Sequence, residues 1–192
     1  MNKIARHSHI RHWPYVYEKH RRRQQALGIN TKQMSMSQVV SLFGSVVAGV
    51  LLEANKVELG LVAGAFLILP SVLDLDGSVG AALSAKINHH LEKPGSKAFA
   101  VFLKSVGFAL FISSLAGLVV ASVGAGVGVV FFDASFNRLF WVAEGAIVLS
   151  ALVGLPLIGC LSLLFRHFKI NPDDVVGPIE SSVFDILTIL TM

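Results

Sequence analysis

The sequence predicts an all-α integral membrane protein with five transmembrane helices, the second of them broken. Three observations lead there. Only 15% of the 192 residues are charged and 54% are apolar, against about 25% charged in ordinary soluble domains; the mean hydropathy is +0.68. Uncharged runs long enough to cross a hydrocarbon layer about 30 Å thick alternate with short polar turns. The basic residues are also unevenly placed. Residues 1–36 hold eight Lys/Arg and one acid, Glu18, whereas the remainder holds eight basic residues and eleven acids. The chain therefore divides into a basic amino-terminal segment, residues 1–36, and a membrane domain, residues 37–192.

The basic segment carries His7, His9, His12 and His20 beside Trp13, Tyr15 and Tyr17. The run from His7 to His12 has the spacing to hold a transition metal, but no carboxylate or thiol joins it, and a solvated or lipid-surface segment is the expected reading. Aromatic residues among Arg and Lys suit an interfacial helix lying on anionic lipid at the inner leaflet. Nucleic acid is not an expected partner, since no nucleic-acid-binding motif accompanies the charge. No signal peptide is expected, because the first thirty-odd residues are polar. The single cysteine, Cys160, excludes an intrachain disulfide.

The first spanning helix is expected over about Gln33 to Leu52. The second begins at Leu59, but only fifteen residues precede Asp74, too few to span. Pro70, Asp74, Asp76, Gly77, Ser78 and Gly80 then predict a break, tolerated at that depth only where backbone is buried in protein or lines water. The third helix is expected over about Ala98 to Phe131, and the fourth over about Leu139 to Phe165 with a kink at Pro156. Glycine and alanine stripes in the first and third helices read as packing faces. Segments assigned to the inner side carry fourteen Lys/Arg and the outer turns two, Lys56 and Arg138. The amino end is thus expected inside and the carboxyl end outside a plasma membrane.

The last helix is the most informative. Asn171 is a suitable N-cap, Pro172 suits the first helical position, and Asp173 and Asp174 complement the helix dipole. At about 1.5 Å per residue, Asp185 then lies roughly 15 Å into the layer, where a carboxylate is costly unless paired, hydrated or holding a cation. Asp174, Gly177, Pro178, Ser181, Asp185 and Thr188 recur at three- and four-residue steps, predicting one polar stripe that lines water.

Asn171-Pro172-Asp173-Asp174, Pro178, Ser181-Ser182 and Asp185 resemble the last-helix pattern of MgtE-type magnesium transporters and of the related two-unit solute carriers. Pro70, Gly77-Ser78-Val79-Gly80 and Lys86 match the second-helix pattern, with Ser78 in place of an Asn and Ala82 in place of the bacterial Gln. The resemblance covers about residues 37–192, without the large cytoplasmic magnesium-sensing domains of the bacterial members. It implies a homodimer and an Asp185 that faces the ion pathway; where Ser78 departs from the pattern, the neighbouring Asp76 is the expected oxygen ligand instead. The candidate metal ligands are Asp185, Asp76, Ser181, Asp173, Asp174 and Asp74.

Carboxylate, hydroxyl and backbone oxygens suit a hard cation, Mg2+ before Mn2+ or Ca2+, and disfavour Cu(I) and Zn2+. Mg2+ sheds water reluctantly, so a largely hydrated ion is expected at Asp185. A two-fold dimer brings two such carboxylates to one axis, matching one divalent charge. The alternatives are a proton-linked transporter of another solute with Asp185 as protonating group, and a non-conducting membrane scaffold. An enzyme is not expected, since no nucleophile–base pair or zinc-ligand spacing is present.

Overall fold

A computed structural model describes the backbone of residues 13–91, 98–168 and 172–192, and the side chains of residues 34–90, 98–168, 172 and 175–192. The histidines and basic residues of the amino-terminal segment and the carboxylates of Asp173 and Asp174 lie outside the described side chains. The described chain forms five helices: α1 Trp13–Gly60, α2 Ala65–Leu91, α3 Ala98–Phe132, α4 Phe136–His167 and α5 Pro172–Thr191. Stretches within α1 to α4 are long and apolar enough to cross a membrane. α5 is as long as a span needs to be, at 20 residues, but carries four carboxylates.

Two elements differ from expectation. The helix expected to begin near Gln33 is continuous from Trp13. The break expected in the second helix is absent, and α2 runs uninterrupted through Pro70, Asp74, Asp76 and Gly77. Pro70 falls in the second turn of α2, so its missing N–H removes a single helical bond close to the helix start. The reversal between the first two helices, expected between Leu52 and Leu59, falls later, at residues 61–64, where Gly64 takes φ +84°, a conformation glycine adopts without steric cost. Asp76 needs no unwound backbone around it, because hydroxyls from neighbouring helices reach it, as described below. α5 begins at Pro172, as its sequence predicts.

α3 packs most extensively on α4, and α2 lies against both. α5 is seated on α2 and α4, and α1 packs along α5 while barely meeting α2. Val79, Leu83, Ile87, Val106, Leu155, Ile158 and Phe184 form the largest apolar core, shared by α2, α3, α4 and α5. At one end Arg166 donates to the Asn88 carbonyl at 3.2 Å and to its side-chain oxygen at 3.0 Å. Ser162 donates to Ser84 at 3.0 Å one turn deeper. α1 exposes Val39, Leu42, Phe43, Val46 and Val50, an apolar circumference suited to hydrocarbon.

Candidate cation site on α5

α5 presents different chemistry on different faces. Val176, Glu180, Phe184 and Thr188, at four-residue steps, are all buried toward α2 and α4. Phe184 is the wedge between those helices. A Cβ at Gly80 would lie 2.6 Å from its ring, and one at Gly154 2.3 Å, so only glycine lets α2 and α4 close on it from both sides. The opposite face meets α1. There Ser182 donates to the Ser41 carbonyl at 2.9 Å, and a Cβ at Gly44 would lie 2.4 Å from Ser182 Cβ. Asp185 sits between these two faces. It is half-buried and accepts no hydrogen bond from any described residue.

Asp76, 1% exposed, points from α2 into the contact with α4 and α5. Its Oδ2 accepts from Ser150 at 2.5 Å and from Thr188 at 2.8 Å, while Oδ1 has no partner. Glu180, 2% exposed, lies against Gly80, and its Oε2 is likewise unpartnered. Gly80 is four residues beyond Asp76, so the two buried carboxylates occupy one seam at levels about 6 Å apart. A third buried carboxylate, Glu144, lies on the α3–α4 contact. It accepts from Ser114 at 3.3 Å and leaves Oε2 without a partner. Among the described residues none of these acids pairs with Lys, Arg or His; the ion pair found there is Lys56–Glu53, near the carboxyl end of α1.

Of the six candidate ligands, the four with described side chains, Asp74, Asp76, Ser181 and Asp185, are not drawn into one cluster. No group of three or more His, Cys, Asp or Glu suited to a metal is present among the described residues. Asp76 and Asp74, two residues apart, point to different sides of α2: Asp76 inward and Asp74 to the surface. The polar stripe on α5 is split in the same way. Thr188 turns inward to Asp76, Ser181 is exposed, and Gly177, Pro178 and Asp185 are half-buried. Ser78 on α2 is exposed beside Asp74, and glycines 77 and 177 both look onto open space. Sequence reasoning missed Ser150 and the burial of Glu180. The four-residue step linking Glu180 to Phe184 and Thr188 is the signal that marks the latter.

Removing both donors to Asp76 should be costly. With Ser150→Ala and Thr188→Val combined, each lost hydrogen bond to a charged group is expected to cost about 1.5–3 kcal/mol. Thermal unfolding in detergent checks this, and adding Asp76→Leu should restore much of the loss, because an apolar replacement leaves no buried charge unmet. A double variant as stable as wild type would show that Asp76 does not depend on these hydroxyls.

Four membrane-compatible helices carry a fifth on which Glu180 and Asp185 have no ion-pair partner among the described residues. The MgtE divalent cation transporter family matches residues 69–192, from α2 to the carboxyl end and without α1. No curated protein and no solved structure gives a match. With about two thirds of its length covered, the chain belongs to the MgtE family of divalent cation transporters, as a multi-pass membrane protein.

Proposed function

We propose that the protein carries Mg2+ across the plasma membrane as a two-fold homodimer, with its amino end inside and its carboxyl end outside. The ion passes along a path at the dimer axis lined by α2 and α5. One observation carries this reading. Exposed Asp74 on α2, exposed Ser181 and half-buried Asp185 on α5, and the open positions at glycines 77 and 177 leave polar groups and uncovered backbone on the outer sides of these two helices. A carboxylate against lipid costs at least a few kcal/mol. Such a surface is stable where a second copy encloses it around water.

In this arrangement Asp185 of each protomer holds the hydrated ion through its water, since Mg2+ gives up that shell reluctantly. The pair of carboxylates matches the ion's charge. Asp74 and Ser181 extend the polar lining, and Asp173 and Asp174 at the start of α5 attract cations to the inner mouth. Asp76 lies behind this lining, with Oδ2 held by Ser150 and Thr188 and Oδ1 left as a buried, unpartnered acceptor. Mn2+ and Ca2+ share the ligand preference.

Flux into proteoliposomes tests the proposal, with Mg2+ varied against a monovalent control. Mg2+ uptake that saturates, with no comparable K+ uptake, supports it; equal permeability to both overturns it. The basic segment is expected to be accessory. Deleting residues 1–30 should leave divalent flux within a few-fold and alter association with anionic lipid. Loss of all flux from folded, dimeric protein would place the segment in the permeation path.

A further inference from the structure

The seam between α2 and α3 carries two apolar openings that the ion path does not use. The helices run antiparallel, with Lys86 level with Ser105 and Leu67 level with Val127. From Leu67 to Lys86 the seam rises about 28 Å, close to the hydrocarbon thickness of one bilayer. The opening near Leu67 has a volume of about 380 Å³ and is walled by residues such as Ile68, Val119 and Val123. The opening at the other end, about 170 Å³, is walled by Val79, Ala82, Leu83, Phe108, Ala109 and Ile112 and ends at Lys86.

Lys86 is the feature that names an occupant. Its Nζ lies 3.6 Å from the centre of the Phe108 ring, and no carboxylate among the described residues pairs with it. Lys104 projects from α3 one turn from Phe108 toward the same end and is exposed, and His90 follows one turn after Lys86 on α2. The opposite end of the seam has no cation among its lining residues. A groove that is apolar along its length, with ammonium groups at one end only, is complementary to an amphiphile with an anionic head. Basic positions between membrane helices at the cytoplasmic surface recognise lipid phosphates in this way.

We infer that the Lys86 end of the α2–α3 seam is a binding site for an anionic phospholipid of the adjoining leaflet. The head phosphate lies against Lys86, with Lys104 supporting it, and one acyl chain runs along Val79, Ala82, Ala109 and Ile112. The Phe108 ring holds the Lys86 ammonium at the mouth. This leaves the group at the level of lipid phosphates instead of free to follow water. The site is separate from Asp185, so it stands or falls independently of the transport reading.

Titration of the full chain in mild detergent with phosphatidylglycerol and phosphatidylcholine of equal acyl length, read by native mass spectrometry, tests the site. Wild type should bind the anionic lipid about fivefold more tightly than the zwitterionic one, the effect of one lysine near a membrane surface. Lys86→Gln should erase that preference and leave phosphatidylcholine binding unchanged, whereas Ala82→Leu, which fills the groove, should weaken both lipids. Lys56→Gln, at the other end of the bundle, should change neither. The inference is overturned if Lys86→Gln keeps the preference, or if Ala82→Leu binds both lipids as wild type does. It is equally overturned if glycerol phosphate displaces phosphatidylglycerol at matching concentrations, which would mark a site for a free anion.

Discussion

Asp185→Asn should reduce Mg2+ flux by about thirty- to a hundred-fold while leaving the protein folded. The substitution keeps the shape of the side chain and removes its charge. Folding does not depend on that charge, because Asp185 accepts no hydrogen bond from, and pairs with no cation among, the described residues; removing an unpaired, half-buried carboxylate is, if anything, stabilising. The ion depends on it strongly. Opposite unit charges about 4 Å apart interact by roughly 4 kcal/mol at an effective dielectric of 20, and a divalent ion doubles that for each Asp removed. Screening by the ion's own water lowers the loss to about 2–3 kcal/mol, which still corresponds to the stated range. Flux and thermal unfolding measured on the same preparation separate the two effects. Normal Mg2+ conduction by the variant would remove Asp185 from the pathway, and selective loss of a pH-dependent flux would favour proton-linked transport. Glu180→Gln serves as the comparison. It neutralises a carboxylate that faces the α2 seam, and the expected flux defect is milder.

Gly154→Val should produce the largest structural defect. A Cβ at this position would lie 2.3, 2.8 and 2.9 Å from three atoms of the Phe184 ring, and Gly80 closes the other side at 2.6 Å. The ring cannot retreat, so α5 must lift from α4 or α2. Overpacking of this kind costs about 1–3 kcal/mol, and more where nothing can yield. In lipid, helix association rests on close packing, with little hydrophobic drive to compensate. The thermal midpoint and the yield of monodisperse protein should both fall. Phe184→Leu placed on top of Gly154→Val should recover part of the loss, a coupling that a double-mutant cycle measures. Additive losses would show that the valine acts elsewhere.

Much of the fold can be read from the sequence, because length, hydropathy and the turn residues set helix number, and Pro172 marks the start of α5 by backbone chemistry. The second helix shows where such reading stops. Pro70, Gly77 and two carboxylates argue locally for a break, yet the cost of burying Asp76 is met by Ser150 and Thr188, which are 74 and 112 residues away in the chain. No local pattern announces those partners. Ser150 is one hydroxyl in an apolar run, and its meaning comes only from the packing of α4 on α2. The polar stripe of α5 was legible as a pattern. Its division was not, since only about 60° around the helix separates Thr188, which meets Asp76, from Asp185, which does not.

The length of α1 has a mechanical meaning. At about 1.5 Å per residue its 48 residues make a rod of about 72 Å, more than twice the thickness of the hydrocarbon layer. That rod is fastened mainly along one side, to α5, and most closely where Gly44 meets Ser182. The contact acts as a fulcrum, with a long basic arm on one side of it. Ser182 is one helical turn from Asp185, so a load applied to the far end of the arm reaches the helix bearing Asp185 before it reaches α2, α3 or α4.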